Sequence, residues 1–312
     1  MKKEQTYVVS EDIYNILEGS GIPANHYKNK NIVIPDKDFI HKIRKNFKDD
    51  LTSIFPSVEI YSERQMQESM YDLIQNSPYP VVSLDRVYLA PHPKIMAFLD
   101  VTRTTKNGEI VLTMRNNNGE FKNIHQGIAV ISQQLKKALK TNYPQIALVD
   151  DVIFSGDGVT EVANLFKKNG VIVKMALSGI CIEETSINLK RQGIQTRTGY
   201  KISNYIDQIC ERDFYFGISH SGMMMKTKDG QSFKCPYFLP FGNPQHRASI
   251  PKEYETEFSL GCIDRSISLW QEMERLTKRA IRLNELPEKI AHAQGSTVVK
   301  ALQQARRQLI RE

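Results

Sequence analysis

The sequence predicts an α/β fold, a mostly parallel sheet flanked by helices with helical additions at both ends. Three observations predict it. Residues 146–160, I-A-L-V-D-D-V-I-F-S-G-D-G-V-T, run from four uninterrupted apolar residues into two carboxylates and a small-residue turn, which describes a buried parallel strand ending in a loop. Helical spacing precedes this stretch in Ile128, Ile131, Leu135 and Leu139, follows it in Val159, Val162, Ala163, Leu165 and Phe166, and gives way to an apolar strand at 171–182. The two ends of the chain carry apolar residues at three- and four-residue intervals, which is the helical period.

Taken in order, Glu11 and Asp12 suit the start of a helix with Ile13, Ile16 and Leu17 on one face and Gly19 as its stop. Residues 31–35 form a short β-like run. Asp36 caps a second helix carrying Phe39, Ile40, Ile43 and Phe47, and Ser62-Glu63-Arg64-Gln65 reads as a capping box ahead of Met66, Met70, Leu73 and Ile74. From Tyr79 the period changes. The segments 80–84, 87–90, 95–101 and 109–114 are short and apolar or alternating, separated by Pro, Asp-Arg and Asn-Gly, so they read as strands and turns.

Lys167-Lys168-Asn169-Gly170 closes the helix that follows the acidic strand, and 185–190 with Gly193 reads as a short helix and its stop. Residues 205–218 read as helix then strand, leading to Ser219-His220-Ser221-Gly222 near the edge that carries Asp150. No acid can be assigned to orient His220, so turn chemistry is the better reading of that tetrapeptide. The stretch 235–244 is too rich in Pro, Gly and aromatics for a regular helix; Tyr237, Phe238 and Phe241 either wall a base-binding pocket or anchor the connection to the C-terminal region. Beyond Pro251 the chain is helical, with stripes at Ile263, Ile267, Trp270 and Met273 and at Val298, Leu302, Ala305 and Leu309. The organisation expected is a mainly helical region at 1–78, an α/β core at 79–245 and a basic helical region at 246–312.

Composition narrows the partners. With 312 residues, 40% hydrophobic and 25% charged, the chain can bury a core without staples. A formal net charge of +7 and a pI near 9.0 favour an anionic partner, either a phosphorylated small molecule or nucleic acid phosphates on the cationic C-terminal helices. The four cysteines are spaced too widely for a metal knuckle or a redox motif, and the first residues are polar where a secretory segment is apolar. Free thiols in a reducing cytoplasm and no membrane insertion are expected.

Backbone N–H groups of a glycine-bearing loop at a helix start favour a phosphate, and two carboxylates at a strand end accept from vicinal hydroxyls or hold a hydrated Mg²⁺. A phosphorylated ribose has both features. At these residues the sequence resembles the PRPP-binding motif of the type I phosphoribosyltransferases, an apolar strand, two acids and a Thr/Ser-Gly-x-Thr loop. The resemblance covers about fifteen residues of the 312. It implies that Asp150 and Asp151 bind the ribose hydroxyls and metal, that Ser155, Gly156, Asp157 and Gly158, continuing into Val159 and Thr160, surround the 5-phosphate, and that Mg²⁺ is the cofactor.

Two positions depart from the motif. Phe154 stands where some members carry an acid that serves a purine nitrogen, and Gly158 replaces the usual Thr, with anionic Asp157 beside it. Asp157 must point outward to avoid repelling the phosphate. A leaving diphosphate needs cations, for which Arg103 and Lys106, with Arg115 after the next strand, are the candidates. Two functions follow: an Mg²⁺-dependent phosphoribosyltransferase releasing pyrophosphate onto a nucleobase-like acceptor, or a catalytically altered PRPP- or nucleotide-binding regulator or effector subunit. The second assembles with nucleic acid or a protein through the flanking helices, and either is expected as a homo-oligomer or complex subunit.

Overall fold

The computed structural model describes residues 5–19, 26–84, 87–89, 92–106, 109–115, 121–227 and 231–311. In chain order the N-terminal part gives β1 (Thr6–Ser10), α1 (Ile13–Glu18), α2 (His26–Asn29), α3 (Lys37–Ile54), β2 (Val58–Tyr61) and α4 (Glu63–Gln75). The middle gives β3 (Val81–Ser83), β4 (Ile95–Phe98), β5 (Asp100–Lys106), β6 (Glu109–Arg115), β7 (Phe121–Asn123), α5 (Ile124–Leu139), β8 (Gln145–Ile153), α6 (Asp157–Lys168), β9 (Ile172–Ile182), α7 (Glu183–Arg191), β10 (Gln195–Ile202) and β11 (Tyr205–Cys210). Then follow β12 (Met223–Lys226), β13 (Ser232–Cys235), α8 (Pro244–Ala248), α9 (Glu255–Thr277) and α10 (Val298–Arg311).

The fold is α/β, with parallel sheets flanked by helices. The central sheet has the order β10-β9-β8-β3-β4, every pairing parallel. Helix α4 covers one face and α6, backed by α5, the other. Residues of β8 therefore alternate between two cores, Ala147 and Val149 toward the first, Ile146 and Leu148 toward the second, which is why the strand is an unbroken apolar run. A second parallel sheet, β11-β1-β2, joins strands about two hundred residues apart, with Val8 opposite Gln208. A third, β13-β12-β5-β6-β7, is antiparallel except where β12 runs parallel to β5.

The predicted caps are present. Asp36 accepts from Phe39 N, and Ser62 and Gln65 form a reciprocal capping box at the start of α4. Three local readings change, those of 31–35, 205–218 and 87–90, while α1 starts and stops where expected. Residues 31–35 are not a strand, while β1 and β2 are. Residues 205–218 open as strand β11 and continue into a 3-10 turn at Glu211–Phe214, because Y-I-D-Q-I-C pairs with β1 rather than coiling. Helix α1 begins at Ile13 behind Asp12. Residues 87–89 form no strand, and Ala90 lies outside the described residues.

The terminal helical segments pack into the same apolar core as the sheets, through α3 against α9 and α9 against α10. Trp270 is fully buried and donates from Nε1 to Phe216 O at 2.7 Å; Tyr7 stacks on Phe55 at 4.2 Å and donates to Ala248 O at 2.7 Å. The aromatic stretch is an anchor: Phe238 and Phe241 are buried, with Phe241 against Phe216 at 4.7 Å. All four cysteines are free. Among the described residues no helix is long and apolar enough to cross a membrane.

Candidate functional site at the carboxyl edge of β8

Strand β8 lies in the middle of the central sheet and feeds α6 through Phe154-Ser155-Gly156. Gly156 makes the turn. Its φ of +79° is a left-handed conformation, and a Cβ there would stand 2.7 Å from Thr185 Cγ2, so any other residue is strained and crowded. Thr185 Oγ1 donates to Phe154 O, tying the loop to α7, and Thr160 N donates to Gly156 O at 2.9 Å, starting α6.

The first N–H groups of a helix have no intrahelical acceptor and carry the positive end of its dipole. Gly158 sits among them, and no atom outside its own helix turn lies within 4 Å of the place where its Cβ would be. Asp157 is exposed, as the sequence requires of it, and borders with His125, Thr160 and Lys168 a cavity of about 370 Å³. The Thr160 hydroxyl donates to Gln192 Oε1 at 3.2 Å.

The two acids part company. Successive strand residues face opposite sides, so Asp150 follows Leu148 toward the α5–α6 side, and Asp151 follows Val149 toward the core shared with β11. There Asp151 Oδ2 meets Arg212 Nη2 at 3.8 Å and the Cys210 thiol at 3.9 Å. Arg212 also binds Asp12, through its backbone N–H at 2.9 Å and a close side-chain ion pair. Burial works against the Arg212 charge, yet Cys210, Asp12, Asp151 and Asp213 around it push its pKa up. On the other face Ser178, in register with Asp150, is fully buried and its Oγ has no hydrogen-bond partner.

Arg212 continues into a buried network that sequence reasoning missed. Its neighbour Glu211, with no exposed surface, accepts from the Asp12 and Ile13 N–H groups and from Arg44 at 2.8–3.0 Å. Arg44 also holds Glu63 at 2.8 Å and Glu11 at 3.5 Å. The available signal was the consecutive Glu211-Arg212-Asp213 directly after a β-branched segment, the place where strand ends project function-bearing side chains. Ser219–Gly222 is a turn: Ser221 Oγ donates to Tyr215 O at 2.7 Å and Gly222 N to Asp213 Oδ1 at 2.7 Å.

Arg103 and Lys106 lie on β5, opposite Leu112 and Glu109 of β6, but their side chains, with that of Arg115, are outside the described residues. Among the described residues no three Asp, Glu, His or Cys side chains gather as a metal cage. Mg²⁺ typically keeps its waters and takes one or two carboxylates plus substrate phosphates, so it needs no such cage.

No protein-family model matches the sequence, and no curated protein matches it. Among solved structures, the chain aligns with orotate phosphoribosyltransferase from Aeropyrum pernix at 15% identity, covering 45% of this chain and 68% of that one, with a TM-score of 0.26. The Mycobacterium tuberculosis orotate phosphoribosyltransferase in complex with PRPP aligns at 12% identity over 43% of this chain and 70% of that one, TM-score 0.26. Adenine phosphoribosyltransferase from Thermoanaerobacter pseudethanolicus aligns at 12% over 44% and 77%, TM-score 0.28. Likenesses of that size carry neither ligand nor activity across.

Proposed function

We propose that this chain binds a phosphorylated ribose of the PRPP kind at the carboxyl edge of β8 and transfers its phosphoribosyl group to a nucleobase-like acceptor. The observation that carries the reading is the start of α6 at Asp157, with the N–H groups of Gly158 and Val159 in its first turn, one loop beyond the strand that carries Asp150 and Asp151. The 5-phosphate sits against the N–H groups of Gly158 and Val159 with the Thr160 hydroxyl beside it, inside the loop formed by Ser155, Gly156 and Asp157. Asp150 accepts from the ribose hydroxyls and takes Mg²⁺, which on binding neutralises diphosphate charge. Asp151, turned to Arg212, fixes the strand end behind it. In the transfer the C1–oxygen bond to pyrophosphate breaks, its electrons leave with pyrophosphate, and an acceptor nitrogen bonds C1; Arg103 and Lys106 are the cations proposed for the leaving group.

A second reading keeps the ligand and omits the transfer, as a regulator or effector subunit. Phe154 favours it, because it packs edge-on against Tyr205 at 5.2 Å where a base for the acceptor would stand. Calorimetry with PRPP and Mg²⁺ tests the binding and phosphorus NMR tests pyrophosphate release. Gly158→Leu adds bulk on the first turn of α6 at a position with open space around its Cβ. An affinity loss of about tenfold or more without a lowered melting temperature is expected, the scale of one charge-assisted hydrogen bond. Unchanged affinity rejects the site. Binding without pyrophosphate release from any nucleobase selects the second reading.

A further inference from the structure

The second parallel sheet has its own carboxyl edge, and it too lies at a point where the chain order reverses. From β1 the chain passes through α1 and α3 to β2 on one side, while β11 arrives on the other. Open parallel sheets leave a crevice outside their strand ends at such a point. Here the residues that follow the three strands are Glu11, Glu63 and Glu211 with their neighbours. Between α1, α3 and the start of α4, Glu11 and Glu63 border a crevice of about 470 Å³, a size that suits a small molecule, and Glu211 lies behind it on Arg44.

The walls of this crevice carry opposite charge. Lys37, His41 and Arg44 lie on one stripe of α3, at steps of four and three residues. Glu11, Glu18 and Glu63 stand across from them, with Arg64 beside Glu63 at the solvent edge, where it pairs with Glu68. The rim residues Lys37, His41 and Glu18 are exposed, whereas Arg44 and Asn15 are buried in the floor. At depth the charges do not balance: Glu11, Glu63 and Glu211 share the single guanidinium of Arg44. Glu211 is saturated by that guanidinium and two backbone N–H groups, so Glu11, at 3.5 Å from Arg44, is the acid held most loosely.

Asn15 supplies an independent observation. It is only 5% exposed, it lines the crevice, and its Nδ2 has no hydrogen-bond acceptor. A buried amide without an acceptor is costly and rare, and a ligand oxygen in the floor would relieve it. The crevice therefore lacks two things, a cationic N–H group for its surplus carboxylates and an oxygen for its orphaned amide. One compact molecule that brings both is a zwitterion.

We infer that this crevice is a second ligand site, built for a free α-amino acid or a molecule with the same adjacent ammonium and carboxylate. The ammonium lies against Glu11 and Glu63, and the carboxylate faces Asn15 and the Lys37–His41 rim. The site stands on a different sheet from Asp150 and does not rest on the phosphoribosyl reading.

The test uses the full chain and a panel of the free α-amino acids, by thermal shift followed by calorimetry, alongside the methyl ester and N-acetyl derivative of each amino acid that shifts. At least one free amino acid raises the melting temperature of the wild type, and its ester and N-acetyl forms do not. Asn15→Leu removes the orphaned amide at similar volume, and Lys37→Glu reverses the rim charge at an exposed position where folding is not at stake. Each weakens binding of that amino acid about tenfold or more, the scale of one hydrogen bond to a charged group. The inference is overturned if no free amino acid shifts the wild type, if the ester binds as tightly as the acid, or if Lys37→Glu binds like the wild type.

Discussion

Replacing Arg44 by Met should be the most damaging single change to the charge network. Arg44 is 8% exposed, and its guanidinium makes three contacts of 2.8–3.0 Å to Glu211, one of 2.8 Å to Glu63 and one of 3.5 Å to Glu11. Met fills much of the volume but leaves Glu211, which has no exposed surface, with only the Asp12 and Ile13 N–H groups at 3.2 and 3.4 Å. Stranding a buried carboxylate in this way costs roughly 3–5 kcal/mol. At about 2.1 cal/mol/K per residue over 312 residues, that lowers the melting temperature by about 5–8 °C. The penalty comes from the stranded charge, so Arg44→Met/Glu211→Gln, which keeps an acceptor for the two N–H groups, should recover about 1–3 kcal/mol. Calorimetric melts of the two variants check this. A single variant within about 1 °C of the wild type, or a double variant less stable than the single, would refute the reasoning.

Four further outcomes are expected. Gly156→Ala forces a Cβ to 2.7 Å from Thr185 Cγ2 at φ +79° and should cost about 1–2 kcal/mol or more in urea unfolding, whereas Gly158→Ala, with open space around it, should stabilise by up to about 0.5 kcal/mol. Burial raises Glu11 from 4.5 to about 7, against the pull of Arg44. Since the folded state holds that proton more tightly, the stabilisation is complete below about pH 4.5 and is lost as pH rises through about 7; Glu11→Gln should flatten that part of the stability profile measured by urea midpoints. Ser62→Ala removes one arm of the capping box and should cost about 1 kcal/mol, read from the same unfolding curves. Asp150→Asn should abolish PRPP binding in calorimetry, while Asp151→Asn should lower the melting temperature by loosening Arg212, which lies 3.8 Å from that carboxylate.

What the sequence determined by itself were features encoded within a few residues of one another. The run from Ile146 to the helix at Val159 specifies strand, acids, turn and helix because apolar period, Gly conformation and helix start are all local, and it folds as β8, the Gly156 turn and α6. The Asp36 cap and the Ser62–Gln65 box are legible for the same reason. Tertiary structure alone decided the rest. Parallel pairing of β1 with β11 joins Val8 to Gln208 and leaves no mark on either segment alone, so 205–210 reads as helix until its partner is placed. Charge shows the limit most clearly. Glu11, Arg44, Glu63 and Arg212 are the residue types of a solvated surface, and only the convergence of three strand ends removes them from water and makes them each other's partners. That convergence also separates Asp150 from Asp151: they are adjacent in sequence, but the pleat of β8 turns Asp150 toward the α5–α6 side and Asp151 toward Arg212.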